Sequence, residues 1–179
     1  MNRAPHVLQC YQTDESVLTE KAVEFLRQGL EQDCALVIIA TPEHRTALMR
    51  GLKSTGAMSR RGAPTPTIVL LDAALTLDRV LVDGEPDAAR FDAAVGTSMR
   101  SVAGGGSVGG VYAYGDMIGL LWQARRFSAA RRLEQLWNGL QDELGFALFC
   151  GYPMDALSGQ VHVGAPAEAR GTSALQETL

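Results

Sequence analysis

Apolar residues follow two alternating patterns along the chain. Five short, almost unbroken apolar runs have the composition of strands that are buried on both faces. These runs lie at residues 6–11, 34–40, 67–71, 108–114 and 146–150. Between them, apolar residues recur at the spacing of one helix face, as in Leu18, Ala22, Phe25 and Leu30. Strands joined by helical crossovers predict a three-layer α/β sandwich around a mostly parallel five-stranded sheet.

The most regular apolar spacing lies within residues 115–152. It predicts two helices with a break near Ser128, a helix stop at Gly145 and then the last buried strand. Earlier in the chain, the third strand is followed by a predicted helix over residues 73–82 and a turn at residues 83–86.

One flank of the second of these two helices is polar, with Glu134, Asn138 and Gln141 beside the apolar stripe. These side chains either line the edge of a pocket or form a solvated flank. We favour the solvated flank because most polar helix faces meet water.

Length and composition favour one domain. A chain of 179 residues with 46% hydrophobic content is long enough for one well-buried core and short for two. Residues 154–179 contain few large apolar side chains, so we expect an extension there. Within it, residues 160–163 are suited to an edge strand, and a mobile tail is predicted from residue 165.

Charge and hydropathy argue against two classes of binding partner, nucleic acids and membranes. The net charge is −4, and the two arginine pairs at Arg125–Arg126 and Arg131–Arg132 are interpreted as solvated helix positions. Neither direct nucleic-acid binding nor an anionic membrane partner is therefore expected. The sequence has no apolar run of transmembrane length and no signal-peptide core, which predicts a cytoplasmic protein.

The cysteines do not indicate a disulfide framework or a metal site. Cys10, Cys34 and Cys150 are odd in number, widely spaced and set in or beside apolar runs. We interpret them as small buried hydrophobic residues.

Polar residues follow the predicted strands at their carboxyl ends, where open parallel sheets bind ligands. The candidate binding residues are Tyr11, Thr13, Thr41, Glu43, His44, Asp72, Asp116 and Tyr152. Each also has an ordinary structural explanation: Thr13, Thr41, Asp72 and Asp116 suit helix caps, His44 suits a first-turn surface position and Tyr152 suits packing. If Asp72 and Asp116 end neighbouring strands, their carboxylates face one space, and Tyr11 supplies a hydroxyl from the other side.

Nucleotide hydrolysis is not expected. The loop after the first strand has no glycine for a phosphate loop, its Asp14–Glu15 pair would repel phosphate, and Lys21 lies too far inside the helix. The run TIVLLD, which ends at Asp72, resembles a magnesium-holding Walker B strand. That pattern alone is weak, because many strands end in aspartate.

Other catalytic patterns are weaker still. The sequence contains no HExxH helix, and its three histidines lie in separate segments. A metal site could be assembled from His6 or His44 with Asp72 and Asp116, although nothing in the spacing requires it. The sequence does not identify a cofactor.

Several segments, taken together and in order, resemble the MEDS domain, the sensory domain of dichloromethane-type regulators and related methylotroph and methanogen signalling proteins. They are HVLQCY, AVEFLRQGLEQDCALVIIATPEHRTAL, LLDA, VDGEPDAARF, GDMIGLLW, ARRLEQLWNGL and FALFCGYP. The resemblance covers residues 6–153. The chain departs from the family pattern at Asp116, where the family usually has glutamate, so the carboxylate reaches one methylene less far.

The resemblance implies a fold related to the KaiC/RecA ATPases with the phosphate loop lost. That kinship predicts the strand order 5-1-4-3-2, with the first and third strands flanking the fourth. It also implies a signalling partner of the histidine kinase, anti-sigma or transcription regulator type, and a homodimer is compatible with it.

We therefore expect a stand-alone sensory module, not an enzyme, that binds a small-molecule ligand or a partner protein at the carboxyl edge of its sheet. The alternative is a nucleotide- or metal-binding enzyme of the same ATPase ancestry that uses Asp72 and Asp116. A third class is a pure interaction domain with a vestigial pocket.

Overall fold

The computed structural model describes residues 6–11, 15–59, 65–105 and 109–153 and has a parallel sheet at its centre. The strands are β1 (His6–Tyr11), β2 (Ala35–Ala40), β3 (Ile68–Asp72), β4 (Leu81–Val82), β5 (Glu85–Pro86), β6 (Val111–Gly115) and β7 (Ala147–Pro153). The helices are α1 (Glu15–Glu31), α2 (Pro42–Ser54), α3 (Ala73–Val80), α4 (Ala88–Phe91), α5 (Thr97–Gly104), α6 (Met117–Gln123) and α7 (Phe127–Leu144). A 3₁₀ turn at Ala57–Ser59 follows α2, and a π-helical segment at Asp92–Gly96 joins α4 to α5.

All five predicted strands pair in one parallel sheet, which confirms the predicted α/β class. The predicted strand order was wrong. The observed order is β1-β7-β6-β2-β3, so β6 lies between β7 and β2, whereas the prediction put it between the first and third strands.

Burial explains the observed order. All six residues of β2 are buried, as its unbroken apolar run requires, and β2 therefore lies in the interior of the sheet. The residues of β3 are all partly or fully exposed, with Leu70 41% exposed, as expected for an edge strand. The other edge strand, β1, carries the polar residues His6 and Gln9, whereas the apolar β7 lies inside the sheet.

The helices cover the two faces of the sheet and give each face its own core. Helices α1 and α2 pack on one face, against side chains such as Ile38, Tyr114 and Phe149. Helices α3 to α7 pack on the other face, where Trp137 is fully buried and contacts Phe91 edge-to-face at 5.3 Å between ring centroids. The helix after β2 and the helix after β6 thus lie on opposite faces, which makes the gap between these neighbouring strands a topological switch point.

The helix boundaries differ from the prediction in two places. The break between α6 and α7 falls at residues 124–126 instead of near Ser128, and Arg125 takes a left-handed conformation there with φ of 57°. The predicted helix over residues 73–82 ends at Val80, because Leu81–Val82 pairs with Glu85–Pro86 in a two-stranded antiparallel sheet. Gly145 ends α7 with φ of 68°, as predicted.

The polar flank of α7 is not a solvated surface. Asn138 Oδ1 lies 3.1 Å from His6 Nδ1 on β1, and the buried Gln141 donates a hydrogen bond from Nε2 to the Phe146 carbonyl at 2.9 Å. This flank holds α7 against the sheet, so our interpretation of it as solvated was wrong.

Candidate functional site

A cleft of about 170 Å³ opens at the carboxyl ends of β2 and β6, at the switch point of the sheet. Helix α2 and the residue before it contribute one wall, and α6 contributes the other. The lining residues are Thr41, Glu43, His44, Asp116, Gly119, Leu120, Gln123 and Gly151.

Asp116 is the centre of a buried hydrogen-bond network at one wall of this cleft. Its carboxylate accepts a hydrogen bond from the Tyr114 hydroxyl at Oδ1 (2.6 Å) and one from the Thr41 backbone N–H at Oδ2 (2.9 Å). His44 Nδ1 lies 2.9 Å from Oδ2 and 3.3 Å from the Tyr114 hydroxyl oxygen. The Asp116 side chain is only 7% exposed, so these donors replace the water that a carboxylate otherwise needs.

Local sequence explains how these groups meet. Thr41 caps α2 by accepting the His44 backbone N–H at 3.2 Å, and Pro42 occupies the first helical position. This start aims the first turn of α2, and with it the His44 ring, towards β6. Asp116 N–H donates to the Ile39 carbonyl at 2.9 Å, which extends the β2–β6 pairing and places the carboxylate beside Thr41.

The contact between His44 and Asp116 defines the proton position on the imidazole. An ionised carboxylate only accepts hydrogen bonds, so Nδ1 carries the proton in that contact. Tyr114 directs its own proton to Asp116. In the neutral ring Nε2 is then an acceptor, as in other carboxylate-oriented histidines.

The structure brings four of the eight predicted site residues to the cleft: Thr41, Glu43, His44 and Asp116. Asp72 lies elsewhere, where its Oδ1 accepts the Leu75 backbone N–H at 3.0 Å and caps α3. Because β2 separates β3 from β6, the expectation that Asp72 and Asp116 end neighbouring strands was wrong.

Of the remaining predicted residues, Tyr152 lies away from the cleft, and the side chains of Tyr11 and Thr13 fall outside the described part of the chain. Tyr152 is buried on the face covered by α6 and α7, where its hydroxyl donates to Glu134 and its ring packs edge-to-face on Trp122 at 5.9 Å between centroids. The backbone of Tyr11 ends β1, which β7 separates from β6, and its side chain lies outside the described residues. Thr13 also lies outside them.

Sequence reasoning missed five residues of this region: Tyr114, Gly119, Leu120, Gln123 and Gly151. Three of them carry a detectable signal. Gly119, Leu120 and Gln123 stand three, four and seven positions after Asp116, so they share one face of the helix that follows it. Tyr114 stands two positions before Asp116.

Burial raises the pKa values of two groups, Glu134 and Cys150, on the face of the sheet that α3 to α7 cover. Desolvation raises the pKa of Glu134, and the hydrogen bond from Tyr152 and the charge of Arg131 offset part of that rise. Burial, followed by the negative charges of Glu134 and Asp116, raises the pKa of the Cys150 thiol well above its usual range. Cys150 therefore remains a neutral thiol, which is a poor nucleophile.

The described residues contain no group of three or more His, Cys, Asp or Glu side chains that could hold a metal ion. None of the helices in this part of the chain is long and apolar enough to cross a membrane.

Comparison with known families identifies the chain. The family model for the MEDS domain, described as the methanogen/methylotroph, DcmR sensory domain, matches residues 5–165. The chain belongs to the MEDS family. This match confirms the resemblance found in the sequence and makes the chain a sensory domain in class. Comparisons with curated proteins and with solved structures found no match.

Proposed function

We propose that this MEDS domain is a signalling module that binds a small ligand in the cleft between the carboxyl ends of β2 and β6, without catalysing a reaction on it. The observation that carries the proposal is the buried Asp116 network at the wall of that cleft. Crevices at the switch points of open parallel sheets are the usual ligand sites of such folds.

The cleft is small, which limits the size of the ligand. Pockets that bury drug-sized ligands have volumes of about 300–1,000 Å³. A cleft of about 170 Å³ therefore suits a more compact molecule.

The cleft lies between two helices that cover opposite faces of the sheet, so ligand binding there can change how these helices are positioned. Its walls come from α2 on one face of the sheet and α6 on the other. Helix α6 also carries Trp122, which packs edge-to-face on Phe127 of α7 at 4.8 Å between centroids. A ligand that binds one arrangement of α6 more tightly than another shifts the population of α7 positions, which a partner protein can read.

Native mass spectrometry of the purified protein, followed by a thermal-shift screen of compact molecules, tests the proposal. We expect a bound small molecule, or a hit that raises the melting temperature of the wild type but not of His44→Ala. The matched control is Glu20→Gln, which changes an exposed α1 residue away from the cleft and should respond as the wild type does.

Two results would contradict the proposal. Turnover of a nucleotide in the presence of magnesium would support the alternative of an enzyme derived from an ATPase. A signalling partner that binds wild type and His44→Ala equally well, together with no hit in the screen, would support a pure interaction domain.

A further inference from the structure

We infer that the ligand of the cleft is a small organic cation, an ammonium group on a short apolar chain. The inference rests on the proposed function, because it names the chemical class of the ligand for the same cleft. Three properties of the lining carry it: its charge, its hydrogen-bonding capacity and its apolar wall.

Negative charge dominates the lining. Glu43 and Asp116 contribute two carboxylates, His44 contributes one imidazole, and no lysine or arginine lines the cleft among the residues that the structure describes. Even a protonated imidazole leaves one negative charge in excess. The amino termini of α2 and α6 each contribute about half a positive charge at this edge, which reduces the excess without reversing it. The lining therefore favours a cationic ligand over an anionic one.

Three hydrogen-bond donors at the cleft are directed at Asp116. The Thr41 backbone N–H and His44 Nδ1 both meet its Oδ2, and the Tyr114 hydroxyl meets Oδ1. At the rim, Glu43 offers a carboxylate, which only accepts hydrogen bonds, and Gln123 offers an amide oxygen beside its N–H₂ donors. An alkylammonium group carries several donors and no acceptor, so it complements such a surface.

The apolar wall of the cleft would contact the short carbon chain of the ligand. Leu120 and the glycines Gly119 and Gly151 present hydrocarbon and backbone to the cleft, without a charged side chain. A bare metal ion is the less suitable cation, because the described residues contain no group of three or more metal-ligating side chains here. An ammonium group attached to a few carbons matches both the carboxylate at the rim and this wall.

A matched series of probes tests the charge requirement. Propylammonium, 1-propanol and propionate share a three-carbon chain and differ in charge. Each would be titrated into the ¹⁵N-labelled full chain while the backbone amide signals of His44, Leu120 and Gln123 are followed. We expect saturable shifts with propylammonium, at least about tenfold weaker binding of 1-propanol, and no saturation with propionate.

Variants connect the charge preference to the cleft. Glu43→Gln keeps the size of an exposed side chain and removes one charge, so it should weaken propylammonium binding about tenfold and leave 1-propanol binding unchanged. Glu20→Gln removes an exposed carboxylate from α1 and should change neither affinity. Unfolding midpoints of both variants, compared with the wild type, verify that each remains folded.

Two results would overturn the inference. Binding of 1-propanol or propionate at the same residues, as tightly as propylammonium or more so, would refute a cationic ligand while supporting a ligand site in this cleft. Absence of saturable shifts with all three probes would also refute it, and the screen with His44→Ala would then decide the proposed function separately.

Discussion

Asp116 Oδ2 lies 2.9 Å from His44 Nδ1, and this contact ties the end of β6 to the first turn of α2. Removing the carboxylate would leave the Thr41 N–H, the His44 ring and the Tyr114 hydroxyl without their shared acceptor. Buried groups that lose their partners destabilise a fold by about 1–3 kcal/mol each.

We therefore expect Asp116→Ala to lower the free energy of unfolding by about 3 kcal/mol, as measured by urea denaturation. Asp116→Asn keeps the shape and allows the Tyr114 hydroxyl to turn and accept, so its loss should be about 1 kcal/mol. A loss within about 0.5 kcal/mol for Asp116→Ala would show that the network does not stabilise the fold.

Asp72 should behave differently, because it caps α3 away from the cleft. Asp72→Ala should lower the free energy of unfolding by about 1 kcal/mol, and Asp72→Asn by less, since asparagine also caps helices. Neither change should alter propylammonium binding in the amide titration. A change in that affinity would place Asp72 in the site after all.

Trp137 is fully buried between the sheet and α4, with ring contacts to Phe91 and Phe146. Trp137→Ala should destabilise the domain by about 3–5 kcal/mol in the same denaturation measurement, as truncations of large core aromatics do. Gln135→Ala is the control, because Gln135 is exposed on the same helix and its loss should fall within about 0.5 kcal/mol.

Glu134 gives the domain a pH-dependent stability. Its pKa is raised in the folded state, mainly by burial, so the folded protein holds this proton more tightly than the unfolded chain. The resulting stabilisation is complete below the unfolded pKa and is lost as pH rises through the folded pKa.

Glu134→Gln removes this titration while its amide oxygen can still accept the hydrogen bond from Tyr152. The free energy of unfolding of the variant, relative to the wild type, should therefore increase from about pH 4 to pH 8. Urea denaturation across that range measures it. A difference that stays constant with pH would show that Glu134 titrates as it does in the unfolded chain.

The inner strands β2, β6 and β7 could be predicted from the sequence because a parallel strand that is buried on both faces requires a continuous apolar run. Strand β3 has such a run although it is a partly exposed edge strand. The strand order that the resemblance implied was wrong. The sequence nevertheless holds a clue, since His6 and Gln9 suit an edge strand and the uninterrupted run of β2 suits the interior.

The candidate site was predictable only in part. Thr41 and Asp116 were both expected at the carboxyl edge of the sheet. Their contact was not predicted, because the expected strand order separated β2 from β6, which are neighbours. The contacts of α7 were not predictable either. Asn138 meets His6 from 132 positions away and Glu134 meets Tyr152 from 18 positions away, so only the tertiary structure reveals that this polar flank is partnered.

The position of β7 between β1 and β6 has a consequence for synthesis of the chain. In the described part of the molecule β1 pairs with β7 alone, so the first strand to leave the ribosome finds its partner in the last. Until Ala147–Pro153 emerges, β6 exposes an open edge and β1 has no place in the sheet. A nascent chain that stalls before Ala147 therefore displays an unpaired strand edge, a surface that promotes aggregation and chaperone binding.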